Sequence, residues 1–106
     1  MEQRVRAHVK IDGRVQGVNF RYSTQQRARS IGVAGWVRNL EDGGVEAVFE
    51  GSREAVNRVV SWCYAGPGSA RVAKVDVDWE RPTGQKTNPW RDFVPPNHPF
   101  QTGSEF

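Results

Sequence analysis

The chain has one cysteine, Cys63, in 106 residues, so no disulfide can close within it. A reducing cytoplasm is the natural setting for such a chain. Long apolar runs are absent, and no membrane-spanning helix is expected. The opening residues, Met1-Glu2-Gln3-Arg4, lack the apolar stretch of a secretory signal. The two histidines, His8 and His98, lie far apart, and no Cys, His or Asp cluster has metal-ligand spacing. No metal or cofactor is therefore expected. A Ser–His–Asp arrangement cannot be assembled from these residues either. Lysine and arginine never gather in a block, so a formal charge of +3 permits anionic ligands without demanding a nucleic acid. Proline is rare until Pro82 and then frequent, which breaks any long element in the tail.

What is present suits one domain with its own core. Val5, Ala7, Val9 and Ile11 alternate with Arg6, His8 and Lys10, the pattern of a strand with one buried face. Phe20, Thr24, Ala28 and Ile31 share one face of a helix that runs from about residue 20 to 30 and ends near Gly32. Residues 33–40 read as a strand leading into Glu41-Asp42-Gly43-Gly44, a hairpin signal. Val45, Ala47 and Phe49 continue it on the far side. Ser52 is a good N-cap for a second helix, with Glu54 in its first turn and Val56, Val59, Val60 and Cys63 as its stripe. Gly66-Pro67-Gly68 stops that helix. Val75, Val77 and Trp79 then alternate in a fourth strand over residues 71–80, and Phe49 and Trp79 are expected to point to the core. The order βαββαβ is that of the ferredoxin-like α+β sandwich, an antiparallel sheet with two helices on one face.

Between the first strand and the first helix lies Gly13-Arg14-Val15-Gln16-Gly17-Val18-Asn19-Phe20-Arg21. The first amides of a helix have no intrahelical partners, and the helix dipole is positive there. A glycine-bearing turn at that point can hold a phosphate, and an arginine adds a fork of donors. A plain strand-to-helix connector has the same glycine, and Arg21 taken alone reads equally as a solvated charge. Asn39, at the end of the second strand, reads alone as a turn residue.

Together these stretches resemble the acylphosphatase family. The first signature is Gly13-x-Val15-Gln16-Gly17-Val18-x-Phe20-Arg21, and the second is Gly35-Trp36-Val37-Arg38-Asn39. Agreement continues in residues 44–51 and in Trp62-Cys63-x-x-Gly66-Pro67, and it covers residues 4–84. The resemblance implies hydrolysis of the carboxyl–phosphate bond of small acyl phosphates, with no metal and no phosphoenzyme. It makes Arg21 the phosphate-binding arginine and Asn39 the residue that positions water. Backbone amides of Gln16, Gly17, Val18, Asn19 and Phe20 would complete the cradle, and inorganic phosphate would be product or inhibitor. The implied domain is 1–94, with 95–106 an irregular tail. Gly103-Ser104-Glu105-Phe106 is what two adjacent restriction sites encode, so these last residues are set aside. The family's last strand is replaced here by the proline-interrupted Asn88–Pro96, in which Phe93-Val94 is the one strand-like remnant.

Two other readings share the fold. An RNA-recognition-type module has the same element order but needs aromatic residues on the open sheet face. That face is expected to carry Arg6, His8, Lys10, Glu46, Glu50, Lys74 and Asp76, with Trp36 as the exception. A non-catalytic acylphosphatase-like domain would also fit, although Arg21 and Asn39 are intact. No membrane and no specific nucleic-acid partner are expected.

Overall fold

Alternation of apolar and polar residues builds the sheet on which the site depends. In the computed structural model, which describes residues 3–83, β1 spans Arg4–Arg14 and buries Val5, Ala7, Val9 and Ile11 on one side. It runs further than its alternation suggests because the pairing shifts register between Asp12 and Gly13, carrying the strand on to the loop. Helix α1 follows at Phe20–Ile31, then β2 at Ala34–Asn39, β3 at Val45–Ser52, α2 at Arg53–Cys63 and β4 at Arg71–Glu80. The sheet is antiparallel, in the order β2-β3-β1-β4. The βαββαβ order and the two helices on one face match the sequence expectation.

Local chemistry explains the ends. Gly32 takes a left-handed conformation and its N–H donates to Ala28 O, closing α1. Ser52 ends β3 and caps α2, its Oγ accepting from Ala55 N at 3.2 Å. The β2–β3 hairpin is closed by Leu40 N donating to Gly44 O at 2.9 Å. Helix stripes Phe20, Thr24 and Ala28 and Val56, Val59, Val60 and Cys63 pack on the sheet with Val9, Ile11, Val45, Ala47 and Phe49. Each large apolar side chain so buried contributes about 1.5–3 kcal/mol. Burial also pushes the Cys63 thiol up to about 12.

Trp79 corrects one expectation. It pairs with Ala7 and so lies on the helix side of the sheet, yet it is 49% exposed. β4 is the outermost strand on its side among the described residues, and the helices lie mainly over β1, β2 and β3. The side-chain face follows alternation, but among the described residues neither helix lies mainly over that end of the face.

The opposite sheet face is a charge lattice. Glu50 is fully buried there, accepting from Arg6 Nη1 at 2.9 Å and from Thr83 N and Oγ1 at 2.9 Å each. His8 lies between Glu46 and Glu80, and Arg38 also pairs with Glu46. Trp36 is the aromatic residue on this face among the described strands. Its ring stands edge-on to His8 at 6.2 Å, with the Arg38 guanidinium 5.7 Å from its centroid. The ring is thus engaged by the protein's own cation, and the row of stacking aromatics an RNA platform uses is not found on the described strands. The proline-interrupted segment at 88–96 lies outside the described residues.

Candidate active site

The loop expected to hold phosphate is shaped by two left-handed residues. Gly17 has φ 77° and Asn19 φ 64°. Glycine takes that conformation freely, and asparagine is among the few other residues that tolerate it. Asn19 is the N-cap of α1, but its side chain caps nothing. Ser23 N donates to Asn19 O at 2.9 Å, which starts the helix ladder. The amides before it point out of the first turn with the positive end of the helix dipole behind them. No acidic residue occupies that turn.

A cavity of about 260 Å³ opens here, lined by Val15, Gln16, Gly17, Asn19, Phe20, Arg21, Tyr22 and Asn39. Arg21 projects from the first turn of α1, and Asn39 comes from the last position of β2, paired with Val45. Strand order brings them together: β1 lies beside β3, so the loop after β1 and the hairpin after β2 share one end of the sheet. The lining holds one guanidinium, three neutral carboxamides at Gln16, Asn19 and Asn39, and no carboxylate. That arrangement suits a dianion. Phe20 is 1% exposed, its ring 5.5 Å from that of Trp62, so what it offers the cavity is backbone. Val18 does not line the cavity, because its side chain packs against the core. A roomier groove of about 820 Å³ lies along α1 and α2, but none of the loop nor Asn39 reaches it. Among the described residues no three His, Cys, Asp or Glu side chains form a metal set.

Sequence reading missed the Gln16 side chain. Its Nε2 donates to Leu40 O and to Gly44 O, each at 2.7 Å, tying the loop to the hairpin that carries Asn39. It also missed Val15 and Tyr22 as walls. The position of Tyr22, directly after Arg21 in the first helical turn, was the available signal.

A family model described as Acylphosphatase matches residues 7–94. The chain belongs to the acylphosphatase family. A protein named acylphosphatase from Roseiflexus sp. (strain RS-1) is 66% identical over 86 residues, which is 81% of this chain and 92% of that one. Among solved structures, an acylphosphatase from Bacillus subtilis superposes with a TM-score of 0.74 at 35% identity, covering 77% of this chain and 91% of its own. One from Coxiella burnetii gives a TM-score of 0.75 at 33% identity, covering 79% and 88% respectively. The acylphosphatase fold and hydrolase class therefore hold for this chain, and the nucleic-acid reading is not favoured. Among the described residues no helix is long and apolar enough to cross a membrane.

Proposed function

We propose that the 260 Å³ pocket hydrolyses small acyl phosphates to carboxylate and inorganic phosphate, with Arg21 binding the phosphoryl group and Asn39 positioning the attacking water. The observation that carries this is the meeting of Arg21, Asn39 and the left-handed loop in one small cavity free of carboxylates. Phosphoryl transfer passes through a loose transition state with charge on the equatorial oxygens. Fixed donors stabilise that charge because they need no reorganisation during the reaction. The amides of the loop residues that line the pocket, Gln16, Gly17, Asn19 and Phe20, and the Arg21 guanidinium would be such donors.

The carboxylate is a good leaving group and needs no strong acid. Water attacks phosphorus, the bond from phosphorus to the acyl oxygen breaks with its electron pair going to the carboxylate, and a phosphate oxygen takes the water proton. Asn39 is too weak a base to take it, but its carbonyl oxygen accepts a hydrogen bond and aims the water. Released phosphate fits the same cradle, so it should inhibit. The single buried thiol supports a cytoplasmic setting.

The test is hydrolysis of benzoyl phosphate with a chelator present. Wild type should turn over at full rate, and Arg21→Ala should lose about a thousandfold or more in kcat/KM. Chelator-sensitive turnover, or a fully active Arg21→Ala, would defeat the reading.

A further inference from the structure

We propose that Tyr22 and the groove beyond it hold the acyl group of the substrate and favour acyl phosphates with a planar aromatic body; this rests on the phosphate-pocket reading above. Tyr22 lines the phosphate pocket beside Arg21. It also lines a second groove, about 450 Å³, with Ser23, Gln26, Arg27, Ser30, Trp62 and Pro67. Tyr22 is the residue common to the two linings. The residue is 57% exposed.

The direction of the reaction gives the groove its meaning. In an in-line displacement the leaving group departs opposite the incoming water. Asn39 holds the water on the sheet side, at the end of β2. The groove runs the other way: the described residues that line it come from α1, α2 and the turn after α2, and none from the sheet. An acyl group directed away from Asn39 therefore runs onto Tyr22.

The lining then sets the class of acyl group. Tyr22 offers an aromatic face; Trp62 and Pro67 are the other apolar members of a lining that also holds Ser23, Gln26, Ser30 and Arg27, whose guanidinium lies 5.7 Å from the Trp62 ring centroid. A flat ring stacks offset or edge-on against tyrosine, whereas an acetyl group presents one methyl and gains little. Selection falls on the acyl part, because the phosphoryl group is held by the loop and Arg21 in every substrate.

The experiment compares kcat/KM for benzoyl phosphate and acetyl phosphate in wild type, Tyr22→Ala and Tyr22→Phe, with the inhibition constant of inorganic phosphate in each. The benzoyl-to-acetyl ratio should fall about five- to tenfold in Tyr22→Ala, mainly through KM for benzoyl phosphate, and recover in Tyr22→Phe. An unchanged ratio in all three proteins overturns the assignment. So does a loss that Tyr22→Phe fails to restore and that inorganic phosphate inhibition follows in step, since Tyr22 would then only shape the cradle. Those results leave hydrolysis itself intact. Hydrolysis of neither compound by folded wild type would instead overturn the pocket reading and this one together.

Discussion

Asn39 carries no charge and shares the pocket with no carboxylate, so the role proposed for it is geometric. Asn39→Ala is expected to lower kcat about a hundredfold while inorganic phosphate inhibits nearly as before, since misplacing the nucleophile costs rate and not anion binding. Equal loss of turnover and of phosphate inhibition would make Asn39 a phosphate ligand instead. Cys63 sits at the other extreme. Buried completely, its thiol pushed up to about 12, it holds almost no thiolate at neutral pH. An aromatic disulfide reagent at pH 7.5 should leave the native protein unlabelled and react fully in urea; prompt native labelling would show that the core opens there. Arg21 and Asn39 were legible in the sequence because each stands at a fixed place in a short ordered motif. The bonds of Gln16 were not, because its acceptors are carbonyls 24 and 28 residues away and no local pattern encodes them.

At the scale of elements, the site depends on how the end of α2 meets the start of α1. Gly66 follows α2 with φ 67°, and a Cβ there would enter the ring of Phe20, 3.0 Å from Cδ2. Phe20 is the residue immediately before Arg21. Gly66→Ala should cost roughly 2–4 kcal/mol, from left-handed strain plus overpacking. Urea unfolding would measure this, and the displaced Phe20 should also weaken phosphate inhibition in the fraction still folded. A midpoint within error of wild type would mean that the chain simply shifts aside. Glycine followed by proline is readable as a helix stop. Its contact with Phe20, 46 residues earlier in the chain, is a tertiary fact. The strands teach the same lesson, since alternation identifies the face of Trp79 but cannot say that β4 lies where the helices do not reach.

At the scale of the whole molecule, ion pairs knit one sheet face. For Glu46, burial pushes the carboxyl up, but hydrogen bonds from His8 and Arg38 outweigh it and hold it below its ordinary value of 4.5. For Asp42, the Lys10 hydrogen bond and then the Gly44 amide lower it in the same direction. A carboxyl lowered in the folded state adds stability above its unfolded value, and that stability is lost as pH falls through the folded value. The urea midpoint should therefore drop as pH falls below the ordinary carboxylate values of 4.5 and 3.8, and Glu46→Gln should lose part of that drop. A Glu46→Gln curve parallel to wild type would show that the Glu46 contacts contribute nothing. The βαββαβ order was legible because each element keeps its own period. The lattice was not, because it depends on which strands become neighbours. That neighbourhood has one further effect at the Gln16 bridge, where a strand-to-helix loop and a distant hairpin share a single carboxamide. Coupling between two sites is reciprocal. On the proposed function, an anion seated in the loop would therefore steady a turn beyond its reach, and a hairpin that frays would give up part of the anion's hold.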